Sequence, residues 1–271
     1  MRNILILLVP FLVYCTSVRS QDVIYSSDSN RVVVKPKINY LKPKPPAPII
    51  HEMSGGVRLN TDGWSVFTNI GKAKAQDLRK VDMFHSLRLI QIEVSEKKNP
   101  KEEKIHSTTV NTMGGSSTYI FGKINNFYTL KLGYGYSKMI AGKPDEGCVS
   151  IHWSNVVGFA LGFLKPYYLN LYSDPQGVKY NPDNQTDFLN QDAIMGSAGF
   201  SKGLSEMQFI PGGHIKSAIH FDFSTNKKNV LGVEAGVNFE YYSQEIQLMA
   251  NQPATPYFAD MYVSFEFGRR W

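Results

Sequence analysis

The feature that most constrains this chain is an alternation of residue character that recurs along most of its length. From Tyr257 onward, Tyr257, Ala259, Met261, Val263, Phe265 and Phe267 fall on one face, with Asp260, Tyr262, Ser264, Glu266 and Gly268 on the other. Leu231, Val233, Ala235, Val237, Phe239 and Tyr241 repeat the scheme against Gly232, Glu234, Gly236, Asn238 and Glu240. Ile215, Ile219, Phe221 and Phe223 oppose His214, Lys216, His220 and Asp222, and Tyr128, Leu130, Leu132, Tyr134 and Tyr136 oppose Thr129, Lys131, Gly133, Gly135 and Ser137. Successive side chains of a strand point to opposite faces, so a period of two means β-strands with one apolar face. The runs extend over about 10–16 residues, where strands of soluble proteins usually have about 5–6.

Alternation by itself also suits a soluble sandwich or a lipocalin-like barrel. Face chemistry decides between them. The apolar faces carry aromatics near their ends, and the opposite faces hold glycine, serine and charge, as in a transmembrane β-barrel with an apolar exterior and a crowded polar interior. The chain ends on Trp271, in phase with Phe265 and Phe267. A terminal aromatic after an alternating strand resembles the signal read by the outer-membrane assembly machinery.

The pattern therefore predicts an all-β, eight-stranded antiparallel transmembrane barrel. Its strands are expected near 56–70, 83–95, 126–142, 147–155, 157–172, 214–225, 229–246 and 257–271. Asn155-Val156 and Asn226-Lys227-Lys228-Asn229 are the expected short periplasmic turns, and 173–213 the long extracellular loop. The first two strands are irregular. Parity slips near Asp62-Gly63, which suggests a bulge, and Leu87–Val94 is apolar on both faces. Residues 96–125, opening on Glu96-Lys97-Lys98-Asn99-Pro100-Lys101-Glu102-Glu103-Lys104, are then an unusually long charged periplasmic insertion.

Composition narrows the class further. A mean hydropathy of −0.24 excludes a bundle of helical spans, each of which needs about 20 apolar residues in a row. Fifteen Tyr and 16 Phe exclude a disordered chain, because these side chains require burial. Met1–Ser20 reads as a secretory signal peptide: Arg2, an apolar stretch from Ile4 to Tyr14, then Val18-Arg19-Ser20 with small residues where a signal peptidase cuts. The alternative is a lipoprotein signal ending at Cys15, which the bulky Tyr14 before it disfavours. After cleavage at Ser20 only Cys148 remains, so no internal disulfide is expected.

Residues 21–54 are read as a basic, proline-rich periplasmic tail. Lys35-Pro36-Lys37 and Lys42-Pro43-Lys44-Pro45-Pro46-Ala47-Pro48 favour extended polyproline conformation. The tail is either a plain leader to the barrel or a docking segment, with Val32-Val33-Val34 as an addable strand. The barrel proper is expected over 55–271. The formal net charge is +6, with Arg2 and Arg19 in the leader. That balance is too mild to imply nucleic acid.

Side chains just fill the interior of an eight-stranded barrel. Conduction is therefore not expected. Arg58, Lys131, Lys216, Asp222, Glu234, Glu240, Asp260, Glu266 and Arg270 are expected to pair there, because an unpaired buried charge is costly. Cys148 and His152 share the lumen face, but four residues along a strand span about 13 Å, too far for a thiol–imidazole dyad. No hydrolase, zinc-protease or phosphate-loop motif occurs. Catalytic, cofactor-binding and metal-ligating residues are thus each expected to be none. In the outer loop, Asp174, Asn181, Asp183, Asn184 and Asp187 have the oxygen density of a calcium site, although turn chemistry explains the same composition. Ile194, Met195, Phe200, Leu204, Met207 and Phe209 make the rest of that loop apolar, so it either folds over the barrel mouth or meets a partner.

Several blocks resemble one Bacteroidota family of small outer-membrane β-barrel proteins. They are Gly56–Trp64, Asn99-Pro100-Lys101-Glu102, Phe121–Phe127, Leu164-Lys165-Pro166-Tyr167-Tyr168, Ile210-Pro211-Gly212-Gly213 and Phe267-Gly268-Arg269-Arg270. The resemblance spans 55–271 and leaves the proline-rich tail uncovered. It departs at Asn99, where family members tend to carry histidine, and near Asn155–Val157, where they carry a glycine-containing turn. It implies a fold and an outer-membrane location, and brings no activity or site residues. The expectation is a Sec-exported, non-enzymatic barrel among outer-membrane lipids, serving as an accessory subunit of a larger envelope complex for barrel assembly, secretion or uptake. Its partners would be met through 21–54, 96–125 and 173–213. A lipid-modifying barrel enzyme and a small-ligand or metal-binding barrel are the alternatives.

Overall fold

The computed structural model describes residues 49–73, 84–110, 116–142, 148–226 and 228–271. The expected signal peptide and most of the tail, 21–48, lie outside them. Eight long strands close into an antiparallel barrel: β1 (His51–Asn60), β2 (Gly63–Ala73), β3 (Ser86–Lys97), β6 (Asn125–Gly142), β7 (Ser150–Pro166), β11 (Gln208–Asp222), β12 (Asn229–Ile246) and β13 (Thr255–Arg270). Each pairs with the next, and β1 pairs with β13 to close the sheet. Five short strands stand outside the barrel: β4 (Lys104–Val110), β5 (Ser116–Ile120), β8 (Tyr168–Leu171), β9 (Val178–Lys179) and β10 (Ile194–Ser197).

Eight is the expected count, but it arises from two opposite corrections. The segment expected as one bulged strand, 56–70, is a hairpin of β1 and β2 around Thr61-Asp62, with Leu59 opposite Trp64. A two-residue turn and a one-residue bulge shift parity alike. Register distinguishes them, since Asn60 stands opposite Gly63 and His51 opposite Lys72; at Gly63 φ is +151° and a Cβ would lie 1.9 Å from the Glu96 carbonyl oxygen, so only glycine fits. Conversely, the two strands expected at 147–155 and 157–172 are the single strand β7. No turn interrupts it at Asn155-Val156, whose partners run on unbroken in both β6 and β11. The barrel also begins at His51, before the expected residue 55.

The hairpin correction relocates the charged insertion. His51 donates its backbone N–H to the Trp271 carbonyl at 2.9 Å, so the first and last strands begin and end together. We call this the terminus end. Tracing the antiparallel strands from it, 61–62, 98–124, 167–207 and 247–254 all emerge at the opposite end. The insertion and the long loop were expected on opposite sides of the membrane; they lie on the same one. Strands β2, β6 and β11 end, and β3, β7 and β12 begin, at the terminus end.

At the far end these segments build a cap. Three-stranded sheet β10-β8-β9 and hairpin β4-β5 bury Tyr119, Leu169, Leu171, Phe188 and Ile194 together. Segment 247–254 is joined on through a bridge between Lys123 and Met249, and through the Ala250 N–H to Gly122 carbonyl bond at 2.8 Å. Buried Lys123 reaches Glu102 at 2.9 Å. Of the two roles expected for the apolar loop residues, folding over the mouth describes Ile194, while Phe200 is two-thirds exposed and Leu204 is exposed.

Candidate functional site

The barrel is inside out. Val57, Ile92, Leu132, Val157, Ile215, Val237 and Met261 face outward around its middle, and Phe159 is 80% exposed. Exposed aromatics ring both ends: Trp64, Phe239, Tyr241 and Tyr257 toward the cap, and Tyr136, Trp153, Phe267 and Trp271 toward the termini. The outward indoles have partners, Trp64 donating to Glu96 at 2.7 Å and Trp153 to Ser217 at 3.0 Å. An aliphatic belt between two aromatic rings is the surface a bilayer requires. In water, so large an apolar band would drive aggregation.

The lumen is filled in three layers. Next to the cap, Phe127, Tyr242 and Phe258 pack ring on ring with Ile210, Ile246, Leu248 and Met249. At the terminus end, Ala73, Phe84 and Leu87 pack with Ile49 and Ile50. This layer accounts for the two-sided apolar stretch in β3, where Leu87 and Leu89 face inward while Ile90, Ile92 and Val94 face out. Between the plugs lies an ionic layer. Glu93 binds Arg58 and Lys131, Lys97 binds Asp62, Asp260 and Glu240 at 2.6–3.1 Å, and Lys131 also reaches Glu240 at 2.8 Å. Arg270 joins Glu52 and Asp222 at 2.6 Å each.

All nine charged residues expected in the lumen are there: eight lie beside an oppositely charged side chain, and Glu266 instead contacts His220 and accepts from Asn69. Glu52, Asp62, Glu93 and Lys97 join them: Glu52 precedes the expected start of the barrel, Asp62 lies in the β1–β2 turn expected as a bulge, Lys97 falls in the expected insertion, and Glu93 lies in the stretch with no single apolar face. The Arg58 guanidinium lies between the Phe67 and Tyr262 rings, 4.4 and 4.3 Å from their centroids. Aromatics on the lumen face thus pack against the stems and planes of the ionic layer.

Cys148 and His152 do not form a dyad. His152 instead contacts Ser150 Oγ through Nε2 at 3.1 Å and meets the His220 ring at 6.2 Å between centroids. A second hydroxyl–imidazole contact, Thr118 to His106 at 3.1 Å, lies on the cap hairpin. The oxygens of the supposed calcium loop serve turns. Asp174 Oδ1 accepts from the Gln176 N–H, and Asn184 Oδ1 from the Asn181 N–H in a capping box. Among the described residues, the side chains that converge like metal ligands are His220, Glu234 and Glu266, inside the lumen near the terminus end. Sequence phase places all three on lumen faces; strand register brings them together. His220 stands opposite Glu234 across β11 and β12, and Glu266 opposite Gly232 across β12 and β13.

On the cap, Glu206 accepts from Lys179 Nζ at 2.5 Å and from the Tyr168 hydroxyl. The lysine and the tyrosine together hold the Glu206 carboxyl below the ordinary glutamate range. The same carboxylate raises Lys179 and Tyr168.

The class defined by this geometry is a closed eight-stranded barrel of membrane-protein polarity, plugged by its own side chains and capped at one mouth. No protein-family model matches the chain, and no curated protein matches it. Among solved structures it is similar to Neisserial surface protein A, with 6% identity over 83% of this chain and 96% of that one, and a TM-score of 0.39. It is also similar to the attachment invasion locus protein of Yersinia pestis in complex with the heparin analogue sucrose octasulfate, with 8% identity over 83% of this chain and 100% of that one, and a TM-score of 0.38.

Proposed function

We propose that this chain is a non-enzymatic outer-membrane barrel that anchors a folded cap, and that the cap is the contact surface of an accessory subunit in a larger envelope complex. The Bacteroidota resemblance belongs to the same proposal, as does Sec export through the leader. One observation carries the reading. Among the described residues, the lumen is closed at both ends by apolar plugs and in the middle by ion pairs, while parts of 98–124, 167–207 and 247–254 pack together at one mouth. A plugged barrel passes no solute, so its function lies on its surfaces. The hydroxyl–imidazole contacts found among the described residues sit in the lumen or on the cap, away from the lipid-facing wall. This gives a lipid-modifying reading little support. The proline-rich tail stays in the proposal as a second contact segment.

The test is affinity capture of the full-length protein from mildly solubilised outer membranes, in wild type and in a Phe200→Ala, Leu204→Ala double variant of the exposed cap. The expected result is a stoichiometric set of envelope proteins with wild type, depleted by the cap variant while barrel yield is unchanged. Recovery of the barrel alone, under conditions that preserve other envelope complexes, would overturn the subunit reading.

A further inference from the structure

We infer that the lumen contains a site for one divalent transition-metal ion, ligated by His220, Glu234 and Glu266. This inference is independent of the cap's role. His220 Nδ1 lies 3.5 Å from Glu266 Oε2 and 3.8 Å from Glu234 Oε2. Those separations exceed an ordinary charge-assisted hydrogen bond of about 2.7–2.9 Å. They approach the spacing of roughly 3.4 Å between ligand atoms that each sit about 2.1 Å from a shared tetrahedral ion.

The carboxylates are held as ligands usually are. Glu266 uses Oε1 to accept from Ser54 and from Asn69, the latter at 2.9 Å, which leaves Oε2 turned toward His220. Glu234 uses Oε1 to accept from the Tyr262 hydroxyl at 2.8 Å and faces Arg58 with the same oxygen, which leaves its Oε2 for His220. One oxygen of each is fixed by outer partners and the other is presented inward. Such outer contacts orient metal ligands and set their affinity.

The site adjoins a cavity of about 30 Å³ lined also by Glu52, His152 and Arg270, room for an ion's remaining water ligand. Charge supplies a further argument. Among the described residues of the ionic layer, the cations Arg58, Lys97, Lys131, Lys216 and Arg270 share the lumen with eight carboxylates and contact seven of them. The eight are Asp62, Glu93, Glu240 and Asp260 together with Glu52, Asp222, Glu234 and Glu266 at the terminus end. Within that network Glu266 has His220 as its sole ion-pair partner. A divalent ion bound there supplies two of the three missing positive charges where the shortage is greatest. One imidazole among oxygen ligands favours zinc or a neighbouring first-row ion over calcium, which prefers an all-oxygen shell.

The experiment uses untagged full-length protein, chelator-stripped while unfolded, refolded in detergent in the presence of Zn²⁺ so that the ion enters before the plugs close, and desalted. Elemental analysis is expected to find one zinc per folded chain. His220→Gln and Glu266→Gln should each lose it while the folded barrel persists on an unheated gel. His106→Gln, on the cap, should retain it, and Asn69→Ala should weaken binding about 10–100-fold. Wild-type protein refolded with Co²⁺ should give visible absorption bands that competing Zn²⁺ in the refolding mixture abolishes, a readout that needs no variant to fold. Folded wild type without stoichiometric zinc or a displaceable cobalt spectrum would overturn the site, as would full retention of zinc by both ligand variants. In either case the cluster is a His220–carboxylate contact that holds no metal.

Discussion

Arg58 shows how a single residue can organise a membrane barrel from within. It is 2% exposed, paired with Glu93 and Glu234, and enclosed by two aromatic rings. Removing one member of a buried ion network strands the others, at about 3–5 kcal/mol. Arg58→Ala is therefore expected to lower the stability of the refolded barrel by that amount in urea titrations monitored by tryptophan fluorescence. A loss below about 1 kcal/mol would mean that water solvates this layer. Close approach of neighbouring strands makes a second residue-scale prediction. A Cβ on Gly158 would sit 2.0 Å from the Leu132 carbonyl oxygen and 2.5 Å from the Gly133 Cα. Gly158→Ala should destabilise by about 1–3 kcal/mol, the usual range for overpacking, whereas Gly213→Ala serves as a control whose Cβ would meet only the Gly158 carbonyl oxygen, at an ordinary 3.5 Å. Which residues face the lumen was legible in the sequence, because phase along a strand assigns each side chain to a face. Which of them touch was not. His220, Glu234 and Glu266 converge through register between three strands, and register depends on where the turns fall.

At the scale of elements, the strongly alternating strands β6, β12 and β13 were placed almost to the residue, since one apolar and one polar face leave little freedom. Errors gathered where alternation weakens. The β1–β2 turn contains two residues and mimics a bulge in its parity. In β7, Asn155 is a common turn former, but there the outward Trp153, Val157 and Phe159 continue in phase through it. The cap was visible as apolar residues in a loop, not as a structure, because its core joins Tyr119 from one connection to Leu169, Phe188 and Ile194 of another. A pH prediction belongs to this element. Glu206 is lowered by Lys179 and Tyr168, so its contribution is present above the ordinary glutamate range near 4.5 and is lost as pH falls through its lowered value. Lys179 is raised by Glu206, so its contribution is present below the ordinary lysine range near 10.5 and fades as pH rises beyond it. Hydrogen exchange of the β8 and β9 amides should accelerate, relative to the intrinsic rate, on acidification below that glutamate range. Glu206→Gln should flatten the dependence, and an unchanged profile would show that the trio does not secure the cap.

For the whole molecule, arrangement decides function. Plugs at both ends imply that the purified protein in planar bilayers leaves conductance at background, and discrete channel openings would contradict the filled lumen. Strand direction collects 98–124 and 167–207 at one end of the barrel. That arrangement rests on strand count and direction, and one measurement tests it directly. In a Cys148→Ser background, single cysteines are placed at Lys101 in the insertion, Lys202 in the long loop and Asn226 in the opposite turn, and intact cells are treated with a membrane-impermeant maleimide. The account predicts that Lys101→Cys and Lys202→Cys label together, and that Asn226→Cys labels only after the outer membrane is opened. Labelling of Lys101→Cys in step with Asn226→Cys, and apart from Lys202→Cys, would contradict it.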